Sequence, residues 1–366
     1  MRCSRCILPD TVPGISFNEN NECNYCEEKF PFYSPGGEDK LSDLLRANLR
    51  KDSAADCLVG LSGGKDSTYA LITLKEKYKM RVEAFTYVHE GSAAFSIENA
   101  KETCKQLDIK HHIVSLENQL HLKTFTGFFE AWIKSPSVTT AGMTCVACKH
   151  FHILGSKIAE ERNIPMIAWA NSPLEYSPFL ALKIIGNKKE QHKRESNTKG
   201  SVLLMKELLK TREFPLTFFK HFDTCYKGCL SAFPTSGYLK KKFPDITPVF
   251  FFEYHNWNPT QIKDFVKKRV DWKIPGKKDD WHSDCLFHFF KEYMFLSMLR
   301  ASYTDGFLSN QIRYNLMTRE EALLKLKESR KANLEGLLKS LEILNLQHLK
   351  NKMDLNVFSV DSEQLD

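Results

Sequence analysis

Residues 57–68 read Cys-Leu-Val-Gly-Leu-Ser-Gly-Gly-Lys-Asp-Ser-Thr, a short apolar run that breaks at two adjacent glycines and passes into an amphipathic segment, Tyr69 to Tyr78. That order predicts a strand, a tight loop and a helix start. Gly63 and Gly64 let backbone approach a ligand closely, and Ser62, Ser67 and Thr68 add hydroxyl donors. The free N–H groups and positive dipole end of the following helix complete a cradle for an anion, most simply a phosphate. A Walker A loop requires glycine five positions before the Gly-Lys pair and Ser or Thr after it; Val59 and Asp66 occupy those places here, which excludes the kinase and GTPase loop.

The order of elements around this loop sets the fold. A helix near 41–51 precedes it, and the chain then alternates: strand Val82 to His89, helix Ile97 to Leu107, strand His111 to Leu116, a long helical region, and strand Pro165 to Asn171. Near-continuous apolar strands alternating with helices predict an α/β, doubly wound parallel sheet covered on both faces. Ligands are then expected at the carboxyl ends of the strands, where Ser62, Tyr87 to Glu90 and Ala170 to Glu175 fall; Tyr87 and Asn171 are the candidates for nucleotide binding outside the loop. An aromatic-rich strand, Ile246 to Tyr254, follows. Beyond it the pattern is helical: a helix opening at Asn258-Pro259, a long apolar one from about Asp284 to Ala301, one capped by Thr318-Arg-Glu-Glu321, and a last from Ala332 to Leu346. Three regions result: 1–36, 37–255 and 256–366.

The cysteines divide by spacing. Eight of the eleven form close pairs, and the chain shows no export signal, so metal or redox chemistry is expected rather than disulfides. Cys3-x-x-Cys6 and Cys23-x-x-Cys26 can place four thiolates around one tetrahedral Zn²⁺, a closed structural ribbon. Cys145-x-x-Cys148 is expected to open a helix containing His150 and His152, a position that lowers thiolate pKa. Cys225-x-x-x-Cys229 or the single Cys285 could complete it. Two cysteines plus one remote cysteine would hold an iron–sulfur cluster with an open iron, a catalytic arrangement. Cys57 and Cys104 read as core residues. The stretch Lys183 to Lys199, with Lys188, Lys189, His192, Lys193 and Arg194, reads as a solvated loop or a basic flap over a phosphate-bearing substrate. A net charge of +7 suits an anionic substrate without choosing one. No run of about 18 uncharged apolar residues occurs, so no membrane span and a cytoplasmic location are expected.

The string Ser62-Gly-Gly-Lys-Asp-Ser67 resembles the PP-loop of the ATP pyrophosphatases. Together with Met1-Arg-Cys-Ser-Arg-Cys-Ile-Leu-Pro-Asp-Thr-Val-Pro-Gly-Ile15, Thr144-Cys-Val-Ala-Cys148, Ile164-Pro-Met-Ile-Ala-Trp-Ala-Asn171 and Met317-Thr-Arg-Glu-Glu-Ala322, it makes the chain look like the N-acetyl sugar amidotransferases of lipopolysaccharide O-antigen assembly. The resemblance covers most of the chain and thins between about Tyr176 and Phe243. It implies that ATP adenylates the acetamido oxygen of a nucleotide-linked sugar and that ammonia displaces AMP to leave an acetamidino group. Lys65 and the loop N–H groups would hold the β- and γ-phosphates, and Asp66 would orient the loop or bind Mg²⁺. Ammonia would come from a glutaminase partner resembling the imidazole glycerol phosphate synthase pair. The alternative is a thiolation enzyme of the same superfamily acting on tRNA or a small molecule, with Cys145, Cys148 and Cys285 holding a [4Fe-4S] cluster. The tRNA enzymes usually carry Gly-His-x-x-Asp-Asp where this chain has Ala170-Asn-Ser-Pro-Leu-Glu175, and a second, C-terminal ribbon that is missing here.

Overall fold

The computed structural model describes residues 1–27, 33–175, 212–274 and 284–359. The basic stretch 183–199 lies outside them. Five parallel strands form one sheet in the order β3-β2-β1-β4-β5: β1 Cys57–Gly60, β2 Val82–Tyr87, β3 His111–Val114, β4 Met166–Trp169 and β5 Thr247–Phe250. All five stand where the apolar runs place them. The aromatic run after β5 is the exception: Phe251–Glu253 is a turn of 3-10 helix and leaves the sheet.

Among the described residues the α-helices of eight or more residues are α1 Glu38–Ala47, α2 Lys65–Glu76, α3 Ala94–Gln106, α4 Leu120–Lys134, α5 His150–Glu161, α6 Glu213–Lys220, α7 Phe222–Leu230, α8 Pro259–Arg269, α9 Phe287–Leu299, α10 Tyr303–Arg313 and α11 Arg319–Ile343. Asn258 caps α8, accepting from the Thr260 and Gln261 amides, with proline in the first turn. Thr318 and Glu321 close the expected capping box on α11. The two last helices expected from the sequence are one of 25 residues. Gly336 does not break it, because its bare Cα is where Phe289 of α9 packs; a Cβ there would meet Phe289 Cε1 at 2.3 Å.

Two apolar cores result. One, with Leu58, Phe85, Ile167 and Trp169 on one face and Val59, Leu71, Ala84, Phe251 and Trp257 on the other, belongs to the sheet and its helices. The second joins α4 and α9 (Phe125, Phe129, Trp132, Phe290, Met294, Phe295) to the N-terminal cysteines. The Met and Phe residues of α9 are thus packing residues, as their spacing suggests.

Candidate active site

The loop between β1 and α2 has the conformation its glycines predict, but the two glycines do different work. Gly63 has φ +81°, and a Cβ there would lie 1.8 Å from the Ser96 carbonyl oxygen at the start of α3. Only glycine fits. Gly64, with φ −75°, is conformationally ordinary and is the N-cap of α2. Ser62 is exposed; its Oγ accepts from the Gly64 amide (3.2 Å) and lies 3.3 Å from Ser67 Oγ. Lys65 is 4% exposed and pairs with Asp66 Oδ2 at 3.4 Å. Thr68 is 0% exposed, on the buried face of α2, and its hydroxyl has no partner among the described residues. The hydroxyls at the mouth are therefore those of Ser62 and Ser67.

Two residues that the sequence reading passed over hold this loop from outside. Trp257 Nε1 donates to Asp66 Oδ1 (3.0 Å), and Trp272 Nε1 donates to the Gly63 carbonyl (2.8 Å). They lie about 200 residues downstream, and only their position flanking the capped helix α8 marks them in the sequence.

Tyr87 ends β2 and Asn171 follows the end of β4 by two residues, both at the carboxyl edge of the sheet where the loop lies. Asn171 is exposed. Tyr87 is tied to His121: its hydroxyl lies 3.0 Å from His121 Nδ1, and burial pushes its pKa up. His121 is 1% exposed and its Nε2 has no partner among the described residues. Its ring lies 4.2 Å from that of His89; His89 stacks on Phe287, and His121 packs against Phe287 at a tilt of 37°. Burial holds His89 down to about 4, so its imidazole is neutral near pH 7.

His89 leads to the second cysteine set. The Gly91 amide donates to His89 Nδ1 (3.1 Å), which puts the proton of the neutral ring on Nε2, 4.0 Å from Cys285 Sγ. The backbone around Cys285 pairs with this loop: Ser92 bridges Cys285, the Ala93 amide donates to the Asp284 carbonyl and the Leu286 amide to the Gly91 carbonyl. Cys285 is thereby held one turn from Ser96, the residue that packs on Gly63. Cys145 and Cys148 face the same place. Their charges, after burial, are the main influences raising Cys285, and Lys291 of α9 lies near enough to hydrogen-bond Cys145. Its ammonium is held protonated against burial chiefly by Cys145.

The Cys-x-x-Cys pair departs from expectation in one respect. It does not sit at an α-helix N-terminus but in two 3-10 turns, Gly142–Cys145 and Ala147–Lys149, before α5 begins at His150. Burial raises Cys148 to about 11, and Cys145 adds to the rise. His150 and His152 turn away, to the Thr224 (2.9 Å) and Ser231 (2.6 Å) carbonyls. Cys225 is buried and Cys229 half-buried on α7, and burial raises both. Cys57 and Cys104 are core residues, 0% and 3% exposed.

The N-terminal thiols form a finished constellation. Cys3, Cys6, Cys23 and Cys26 place their sulfurs within 4.8 Å of one another, with Cys3···Cys26 at 3.8 Å and Cys6···Cys23 and Cys23···Cys26 at 3.7 Å. The edge of a tetrahedron with 2.3 Å metal–sulfur bonds is about 3.8 Å. Backbone amides of Cys6, Leu8 and Cys23 and the Arg313 guanidinium donate to the Cys3 and Cys6 sulfurs, as thiolate ligands require. Among the described residues no second set of three His, Cys, Asp or Glu ligand atoms is gathered so closely. Cys145, Cys148 and Cys285 are neighbours without being closed around a point.

A parallel sheet whose first strand runs through Ser-Gly-Gly-Lys-Asp-Ser into a helix gives the domain an α/β fold with a PP-loop-like turn. Residues 56–176 match the family described as queuosine biosynthesis protein QueC. Over 138 residues the chain is 29% identical to an uncharacterized protein of Methanocaldococcus jannaschii, covering 37% of this chain and 47% of that protein. Over 71 residues it is 38% identical to 7-cyano-7-deazaguanine synthase of Clostridium botulinum, covering 19% and 32%. The chain thus spans less than half the length of these curated relatives. Among solved structures, the NH3-dependent NAD synthetase of Campylobacter jejuni aligns over 53% of this chain and 94% of its own at 19% identity (TM-score 0.27). The U34-tRNA thiolase of Methanococcus maripaludis with its [4Fe-4S] cluster aligns over 94% and 87% at 16% identity (TM-score 0.32). No helix of the described residues is long and apolar enough to cross a membrane.

Proposed function

We propose that the chain is a PP-loop enzyme that uses ATP to adenylate a carbonyl oxygen of its substrate and then replaces that oxygen. The observation that carries this is the loop itself: Gly63 held open against Ser96, Ser62 and Ser67 at the mouth, and Lys65 drawn in beside Asp66. In the first step the carbonyl oxygen attacks the α-phosphorus and pyrophosphate leaves, its charge stabilised by the loop amides and by Lys65 Nζ. In the second, a nucleophile adds to the activated carbon and AMP departs with the former carbonyl oxygen. Mg²⁺ would neutralise charge on the phosphate oxygens, and Asp66 would orient the loop or help to hold that ion. Zn²⁺ fits the four N-terminal thiols as a structural ion.

We infer the delivered atom from Cys145, Cys148 and Cys285: the backbone bridge to Ser92 ties Cys285 to the segment that packs on the loop, and the charges of Cys145 and Cys148 act on it. Three thiols there favour replacement of a carbonyl oxygen by sulfur in an RNA base or a small-molecule amide. A [4Fe-4S] cluster on these thiols would leave one iron open to carry sulfur. His89 Nε2 would donate toward Cys285, and Lys291 would balance the thiolate charge of Cys145. A second reading is ammonia transfer to the acetamido group of a nucleotide-linked sugar, with a glutaminase partner supplying ammonia. Two observations favour it: the three thiols are not closed to metal spacing, and the amidotransferase-like residues extend to Met1–Ile15 and Met317–Ala322, outside the 56–176 match.

Pyrophosphate release from ATP that disappears in Lys65→Ala is the result expected of both readings, and release that survives the substitution overturns both. Iron and labile sulfide measured on protein purified without oxygen separate them. About four of each, lost in Cys145→Ser, is the result for sulfur insertion; zinc alone is the result for ammonia transfer.

A further inference from the structure

We propose that Trp257 and Trp272 are positioning residues for the nucleotide loop, an inference that rests on reading this loop as the ATP site. Both indoles are nearly buried, 3% and 5% exposed, and each spends its single N–H on a different part of the loop. Trp272 donates to the Gly63 carbonyl at 2.8 Å, helped by Asn99 Nδ2 at 3.4 Å. A trans peptide points its N–H opposite to its carbonyl. Fixing the Gly63 oxygen inward therefore turns the Gly64 amide to the side where Ser62 Oγ lies, the exposed mouth where a phosphate oxygen would take its place. Trp257 donates to Asp66 Oδ1 at 3.0 Å, and its ring centre is 5.8 Å from Lys65 Nζ. Trp257 thus engages Asp66 Oδ1, while Oδ2 of the same carboxylate lies 3.4 Å from Lys65 Nζ.

The pair is carried by one connected device. Helix α8 lies along α2 and is pinned at both ends, by Trp257 on Asp66 at the start of α2 and by Arg269 on Glu76 at its end (Nε to Oε2, 2.8 Å). Between them Phe265 packs edge-on against Tyr69, 5.1 Å between ring centres. Past α8 the chain runs back along α3, where Lys273 and Asn99 exchange two hydrogen bonds (3.1 and 2.7 Å), and this sets Trp272 over Gly63. The region after the sheet is thus a clip on the phosphate end of the ATP site.

The test compares ATP, whose β- and γ-phosphates the loop would hold, with AMP, which lacks them. Calorimetric titration of the full chain with each nucleotide in Mg²⁺ buffer is expected to show Trp257→Phe and Trp272→Phe each weakening ATP about tenfold while AMP changes less than about twofold, the loss of one hydrogen bond to a charged or polarised acceptor. Trp257→Phe keeps an aromatic ring against Phe307, 5.8 Å away in the wild type. Asn99→Ala removes the second donor to the Gly63 carbonyl and gives the same ATP-selective loss if Trp272→Phe does not fold. Equal weakening of ATP and AMP, or no weakening of ATP, overturns the inference, since a purely structural role moves both nucleotides alike. Lys65→Ala separates the two levels. If it binds ATP as the wild type does, the reading of the loop itself fails; if it loses ATP while the tryptophan and Asn99 variants do not, only the clip fails.

Discussion

At the scale of single residues, the loop glycines give a sharp contrast between two substitutions that look alike in the sequence. Gly63→Ala must adopt φ near +81° and push its Cβ into the Ser96 carbonyl, so the loop or the first turn of α3 has to shift. Strain of about 1–2 kcal/mol from the left-handed backbone alone predicts a loss of ATP affinity of at least about tenfold. Gly64→Ala meets only Ser62 Oγ at 3.2 Å, at an ordinary φ, and keeps its amide. Its ATP affinity, read by the same titration, stays within about threefold. A second residue-scale prediction concerns pH. His152 is 4% exposed, and burial holds it down to about 3, below the ordinary value near 6.5. Between these values the unfolded chain binds a proton that the folded chain refuses, so stability falls as pH drops below 6.5, by about 2 kcal/mol at pH 5 from this residue. Urea unfolding at pH 7 and pH 5 should show a loss smaller by about that amount in His152→Gln. An unchanged loss would mean that the ring is charged in the fold.

At the scale of elements, the sheet is tied at its amino-terminal side by a carboxylate that the apolar reading of β2 did not anticipate. Glu83, 5% exposed, accepts from Arg162 Nε and Nη2 (both 2.6 Å) after α5 and lies 2.7 Å from His112 Nε2 on β3. Burial would raise its pKa, but Arg162 and then His112 bring it below 4.5. A carboxylate depressed in the fold contributes stability that is complete above its unfolded value and lost as pH falls through the folded one. Glu83→Gln is therefore expected to cost about 2 kcal/mol at pH 7 and progressively less below about pH 4.5, measured by thermal unfolding. The elements themselves were legible because their signals are local: five apolar runs gave five strands, and Asn258-Pro259 and Thr318-x-x-Glu321 gave helix starts. The second active-site layer was legible only in part. Cys145, Cys148 and Cys285 stand out as cysteines, but the placement of Cys285 depends on the 284–286 backbone pairing with residues 91–93, and the roles of Trp257, Trp272 and His89 depend on contacts across about 190 to 210 residues. No periodicity encodes such contacts. The same holds for Gly336, whose helix-weakening composition is outweighed by the Phe289 ring that packs on it.

At the scale of the whole molecule, the four-thiol ribbon is fastened to the C-terminal helices rather than to the sheet. Arg319 Nε donates to the Cys3 and Cys6 carbonyls (3.2 and 3.1 Å), Arg313 Nη2 to Cys6 Sγ (3.3 Å), and Arg2 Nη1 to Asp305 Oδ1 (2.8 Å), which Arg330 holds from the other side. Ile7 is buried with Leu308, Ala322 and Leu326. Arg313 is 5% exposed, and a buried guanidinium needs an anion. Burial alone would drive its pKa down; the Cys6, Cys26 and Cys23 sulfurs hold it up. Four thiolates around one divalent ion would carry two net negative charges, so a metal-loaded ribbon would be the counter-ion for Arg313 on α10. Cys6→Ser should then weaken metal binding and also remove the largest of the anionic charges that hold Arg313 up, lowering stability by about 3–5 kcal/mol and the melting temperature of the whole chain. Arg313→Met removes the cation that needs the thiolates, so its combination with Cys6→Ser should cost clearly less than the sum of the two. Calorimetric melting of the four proteins, with metal content measured on each, decides the matter: additive losses would make the ribbon an independent appendage, and a Cys6→Ser chain that keeps its metal would remove the four-thiol site from the account.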